Sequence, residues 1–150
     1  PKEVEPGFDA GMCIGTSFGY FDDTQNAQAL GHMRRMLNGG GCVLVHGLNR
    51  DHAIGRLPDR VMSFRGADII NEDADFDDPS SRLTVRRQVV YGDGEVREWD
   101  IRIRLYAAHE LRNLMRALGC AATRILGPSS FGGHYLGRAC RELSVIGLWR

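Results

Sequence analysis

FDAGMCIGTSFGYFDDTQNAQALGHMRRMLNGGGCVLVHGL, residues 8 to 48, decides the fold. Residues 8 to 14 form a continuous apolar run, which predicts a strand buried on both faces, as parallel strands usually are. Asp22, Asp23 and Thr24 are capping residues for a following helix, in which Ala29, Leu30, Met33, Met36 and Leu37 recur at helical spacing. Asn38-Gly39-Gly40-Gly41 is expected to end that helix, because glycine supplies the left-handed residue of a C-cap. Cys42 to Leu48 then reads as a second buried strand. Strand, helix and strand within about forty residues make one βαβ unit, and that implies a parallel sheet.

Working outward, residues 61–105 change character. Asp77-Asp78-Pro79-Ser80 and Gly92-Asp93-Gly94 are turn sequences. Leu83, Val85, Arg87 and Val89 alternate with Thr84, Arg86, Gln88 and Val90. Beyond the second turn Trp99, Ile101, Ile103 and Leu105 share one face. The reading is an antiparallel meander of about three strands inserted into an α/β sheet. Residues 106–150 return to the first style, with Leu111, Leu114, Met115 and Leu118 on a helical stripe closed by Gly119. Strands are expected at 121–126 and 143–149.

The chain has 150 residues, 43% hydrophobic and 25% charged, which suits one globular domain. Nineteen basic residues balance nineteen acidic ones. Without a positive field, a nucleic-acid partner is not expected. The four cysteines lack C-x-x-C pairing, which argues against a zinc site and for a reduced, cytoplasmic chain. No signal peptide and no membrane-length apolar stretch is visible.

Gly15-Thr16-Ser17-Phe18-Gly19 matches the G-x-S-x-G pattern of a hydrolase nucleophile elbow. An elbow starts its helix almost at once, yet Phe18 to Phe21 intervene before the first cap. His109 and His134 could nominally complete a triad, but His109 opens a helix with no acidic loop clearly paired to it. Small residues ending a buried strand explain Gly15 to Ser17 without chemistry. Gly39 to Gly41 follows a helix rather than a strand, the reverse of a dinucleotide fingerprint. The loop from Gly127 to Gly133 reads as a connection. His32 and His52 read as surface residues. His46 differs, lying near the carboxyl end of the second parallel strand, the edge beyond which α/β sheets bind ligands; it reads either as a hydrogen-bonded lining residue with no proton to transfer or as a candidate general base.

FDAGMCIGTSFGYF, then LNGGGCVLVHGLNRD at 37–51, LYAAHELRNLMRALGC at 105–120 and the closing ELSVIGLWR together resemble the second half of class I S-adenosylmethionine-dependent methyltransferases. The resemblance is to the branch with an SFGYF-type strand end and a β-meander after the fifth strand. It implies a Rossmann-like α/β sheet whose residues 1–60, 61–105 and 106–150 supply the βαβ unit, the meander, and a helix with closing strands. It implies S-adenosylmethionine as cofactor and in-line methyl transfer to a small-molecule acceptor. Cys13, Ile14, Gly15 and Thr16 would then line the cofactor. Ser17, Phe18, Tyr20, Asn49 and Arg50 would face the acceptor, with His46 and Tyr20 catalytic. The family's glycine-rich cofactor loop would belong to a missing N-terminal half, to a partner chain, or be replaced through self-association. A non-catalytic binding module of the same fold is the alternative.

Overall fold

The computed structural model describes residues 5–150. Strand β1 (Phe8–Cys13) leads through the turn 14–22 to helix α1 (Asp23–Arg35), whose N-cap Asp22 accepts a 2.7 Å hydrogen bond from the Gln25 N–H. Strand β2 (Leu37–Leu48) runs parallel to β1. A short helix α2 (Arg50–Ala53) precedes four antiparallel strands: β3 (Asp59–Arg65), β4 (Asp68–Asp77), β5 (Arg82–Val90) and β6 (Val96–Arg104). Helix α3 (Ala108–Ala117), β7 (Ala122–Leu126) and β8 (Glu142–Leu148) complete the chain.

Two sheets result. The first has the order β1-β2-β8-β7, with β8 antiparallel to both neighbours; the second is the meander β3-β4-β5-β6. The alternation of β2 and β8 puts Val43, Val45, Leu143 and Val145 on one face of the first sheet. There they pack against Leu30 of α1 and against Leu111 and Met115 of α3. The 1-4-5-8 spacing of Leu111, Leu114, Met115 and Leu118 serves that contact, and Trp149 Nε1 ties it down by donating to the Leu118 carbonyl at 2.9 Å. The opposite face carries no layer among the described residues. Met12 and Ile14 are 65% and 57% exposed there.

Three expectations need correction. Residues 8 to 14 are not buried on both faces: β1 is an edge strand of the described sheet, and only Gly11 and Cys13 turn toward α1. Asn38 to Gly41 does not cap α1. The helix stops at Arg35, Met36 is its C-cap, and the glycines are already in β2. Gly40 takes φ +83° where the β1–β2 register shifts, so the glycine run serves a bulge in the strand. The meander has four strands rather than about three, because Gly66 (φ +63°) and Ala67 make a tight turn that carries no Asp-Gly or Pro signal.

The meander meets the first sheet through Leu83, Ile103 and Leu105, which bury against Ala53 of α2 with Leu48 and Leu57 alongside. The turn 14–22 is threaded into this junction. The Arg104 N–H donates to the Gly19 carbonyl at 2.8 Å, and the Arg82 guanidinium donates to the Phe21 carbonyl at 2.7 Å. Beneath them the Arg104 side chain is buried. It donates to Asp23 at 3.2 Å and to Glu110 at 2.6 Å, and stacks 4.5 Å from the Tyr106 ring centre.

Candidate functional site

The parallel strands β1 and β2 end side by side, and the chain turns sharply over them. Gly15 and Thr16 are both left-handed, at φ +68° and +63°. For a β-branched threonine this backbone is a genuine outlier, held only because its surroundings over-determine it. Three bonds do so. The Thr16 N–H donates to the His46 carbonyl at 3.2 Å, the Leu48 N–H donates to Thr16 Oγ1 at 3.1 Å, and the Gly15 N–H donates to His46 Nδ1 at 3.2 Å.

The last bond fixes the histidine's tautomer. A nitrogen that accepts from an N–H carries no proton, so the neutral ring is protonated at Nε2, which faces Glu142 Oε2 at 3.5 Å. Nε2 is therefore a donor. To act as the general base expected from the sequence, His46 would have to release Gly15 or Glu142; in this arrangement its task is to hold the turn.

Of the residues assigned to the cofactor, Ile14 and Gly15 are exposed at the strand end, and space is open where a Gly15 side chain would stand. Thr16 is half-buried. Cys13 turns the other way: its Sγ donates to Met33 Sδ at 3.5 Å, and burial pushes its thiol up, with Ser17 only partly offsetting this. Its contribution to the strand end is confined to backbone. A cofactor laid across this edge would find an apolar side chain, open backbone and a fixed turn, which fits one wall of a pocket.

The acceptor-side assignments divide. Ser17 and Tyr20 are exposed beside the turn. Phe18 is buried: it is 7% exposed, its ring 5.4 Å from that of Tyr106 in the core. Asn49 is fully buried. Its Oδ1 accepts from the Asp51 N–H, capping α2, and its Nδ2 donates to the carbonyls of Gly137 and Cys140. Arg50 is spent on the meander, donating to Ser81 Oγ at 2.9 Å and lying 5.8 Å over the Phe76 ring. Replacing Asn49 by alanine orphans two carbonyls and a cap donor, so a loss of about 2–3 kcal/mol is expected in denaturant melts. An acceptor-binding role would instead give a folded, equally stable variant.

Sequence reasoning missed a cleft of about 410 Å3 between the inner face of the meander and α2. Leu48, Leu57, Leu83, Val85 and Ile101 give it an apolar floor, and Arg87, paired with Glu72 at 2.6 Å and stacked 5.8 Å from the Trp99 ring, stands at its side. The signal was the alternation of β5 and β6, which names this face without saying what it encloses. The hydrolase pattern has no support in the geometry: α1 starts only at Asp23, and among the described residues no histidine nitrogen bonds Ser17.

No family model matches the sequence, and no characterised protein matches it by sequence. Solved structures do. The chain superposes on a S-adenosylmethionine-dependent methyltransferase from Clostridium acetobutylicum with TM-score 0.80 at 11% identity, covering 99% of this chain and 61% of that one. The CcbJ methyltransferase from Streptomyces caelestis gives 0.76 at 14% identity, with 98% and 59% covered. The sugar N-methyltransferase KedS8 from a Streptoalloteichus species gives 0.66 at 17%, with 100% and 59% covered. The chain thus has the fold of a large part of a class I S-adenosylmethionine-dependent methyltransferase and spans about three-fifths of the length of these neighbours.

Proposed function

We propose that the chain forms part of an S-adenosylmethionine-dependent methyltransferase acting on a small molecule in the cytoplasm, and that it supplies the acceptor side and one wall of the cofactor pocket. The observation that carries this is the pinned left-handed turn Gly15–Thr16, set at the carboxyl edge of a parallel strand pair, where open α/β sheets take their ligands. The fold neighbours are methyltransferases, which favours this use of the edge.

The bound cofactor would supply an electrophilic sulfonium methyl, and the protein's task would be alignment and exclusion of water. Ile14 would pack against it while the backbone at Gly15 permits close approach. The His46 Nε2–H would orient the acceptor by exchanging Glu142 for it, and Tyr20 would flank it. The cleft under the meander would take the acceptor's apolar body. The uncovered face of the first sheet, with Phe8, Met12 and Ile14, would be covered by further polypeptide, either the remainder of a longer chain or a partner, which would bring the rest of the cofactor pocket.

Titrating S-adenosylhomocysteine calorimetrically into the protein tests the cofactor wall. Binding should weaken at least about tenfold in Ile14→Arg, whose side chain is exposed and whose change spares the core. Affinity unaltered by Ile14→Arg and by Gly15→Val would remove the strand end from the pocket. In the complete enzyme, His46→Ala should lower kcat by on the order of a hundredfold, while His46→Asn, able to accept from Gly15, should retain most of it. Equal losses in both, together with a displaced acid limb of the pH–rate profile, would return His46 to the role of base.

A further inference from the structure

His52, a surface residue by its sequence context, is half-buried on α2, and its ring borders the cleft under the meander. It shares that cleft with Arg56 and Arg141 and with the apolar side chains of Leu83, Val85 and Ile101. The cleft begins at the strand end: Leu48, which lines it, donates its N–H to Thr16 Oγ1 at 3.1 Å, and His52 follows one helical turn later.

Its hydrogen bond decides its tautomer. His52 Nδ1 lies 2.9 Å from the Arg138 carbonyl oxygen. A carbonyl only accepts, so Nδ1 carries the proton and the neutral ring presents Nε2 as a lone pair. Among the described residues nothing bonds Nε2. His46 is the reverse case, with Nδ1 accepting from Gly15 and a protonated Nε2 facing Glu142. Of the two histidines near the strand end, one can only give a hydrogen from Nε2, and the other can take one.

The charges around the cleft select the acceptor. Glu72 is held by Arg87 across the meander. Asp59 is the other carboxylate on the cleft, against the guanidiniums of Arg56 and Arg141, neither of which has an ion pair among the described residues. An ammonium group would enter against this positive excess, whereas an oxygen gaining negative charge as it loses a proton would be favoured by it.

We propose that His52 is the general base for a hydroxyl acceptor whose apolar body fills this cleft, a role that rests on the methyl-transfer reading of the strand end. A lone pair of the hydroxyl oxygen forms the new O–CH3 bond while the S–CH3 pair stays with sulfur. The O–H proton passes to Nε2, its bonding pair remains on oxygen, and the imidazolium later returns the proton to solvent. The Arg138 carbonyl holds the ring in place and strengthens Nε2 as an acceptor.

Two probes test this without cofactor. 4-Bromophenacyl bromide has an aromatic body for the apolar floor and a carbon that a nitrogen lone pair attacks, with bromide leaving. Peptide mapping should find it on His52 Nε2, at least about tenfold faster than on the exposed His32 and His109 or on His46, and saturably, with unreactive 4-bromoacetophenone protecting. 4-Nitrophenol reads proton transfer through its phenolate absorption. About one pH unit below its own ionisation, binding should raise the phenolate fraction at least about threefold, and His52→Gln, which keeps a donor for the Arg138 carbonyl, should abolish the rise while circular dichroism shows it folded. 4-Nitrobenzylamine, as its ammonium, should bind at least about tenfold more weakly than 4-nitrophenol in calorimetry. Labelling of His52 no faster than of the other histidines, labelling at Nδ1, or a phenolate rise that survives His52→Gln would overturn the base. Tighter binding of the ammonium would overturn the hydroxyl acceptor. If both probes behave as expected but S-adenosylhomocysteine does not bind, the methyl-transfer reading fails and takes the catalytic role with it, leaving a proton-accepting cleft; if S-adenosylhomocysteine binds and the probes ignore His52, the base alone fails.

Discussion

Gly19→Ala is expected to lower stability by about 3–5 kcal/mol, a large effect for one methyl group. Gly19 sits at φ +117°, where a side chain is strained in any environment. A Cβ built there would stand well inside contact distance of the Arg104 carbonyl oxygen, which is backbone and cannot rotate away. Relief would require the turn to part from β6, breaking the bond from the Arg104 N–H to the Gly19 carbonyl. At about 2–4 °C per kcal/mol for a chain of this size, the melting temperature should fall by roughly 10 °C. Gly15→Ala is the internal control. It has a comparable left-handed backbone but nothing within 4 Å of the added atom, so a cost of about 1 kcal/mol is expected. Equal melting temperatures for the two variants would show that the close approach at Gly19 carries no strain.

Glu110→Gln should cost about 2–3 kcal/mol at neutral pH, because it leaves the buried Arg104 guanidinium with the mostly exposed Asp23 as its remaining carboxylate. Glu110 also accepts from the Ala107 N–H at the start of α3, at 2.7 Å. Burial pushes its carboxyl up, but the bonds from Arg104 and Ala107 and the nearby guanidinium charges outweigh burial and bring it below the ordinary glutamate range. A carboxyl held lower in the folded state than in the unfolded chain stabilises above its unfolded value, about 4.3, and that contribution fades as pH falls through the folded one. The gap in urea midpoint between the native protein and Glu110→Gln should therefore be widest at pH 7 and narrow at pH 3. A gap of the same size at both would mean that Glu110 acts through packing alone.

Much of the architecture was legible from residues. The apolar run before Gly15, the Asp22 cap and the run from Cys42 to Leu48 fix the βαβ unit, because two apolar strand segments flanking one amphipathic helix have few other solutions. Exposure was not legible. Phe8, Met12 and Ile14 have the composition of a buried strand, and only the sheet order reveals that nothing described covers them. Polar residues at a strand end were equally ambiguous: Asn49 reads alike as a ligand contact and as a helix cap, and its second set of bonds goes to Gly137 and Cys140, far along the chain. His46 was singled out by its place on the strand. Its tautomer depends on the Gly15 N–H, which no spacing rule encodes.

The segment from Gly15 to Phe21 is anchored at both ends to different bodies, at Thr16 to β2 and at Gly19 and Phe21 to the meander. Any hinge opening between the two sheets must therefore stretch or twist these few residues. Filling the cleft beneath the meander would load the same tether from one side, and whatever lies against Ile14 and Gly15 would feel it from the other. Acceptor entry and cofactor grip would then be mechanically linked through one short strap of backbone.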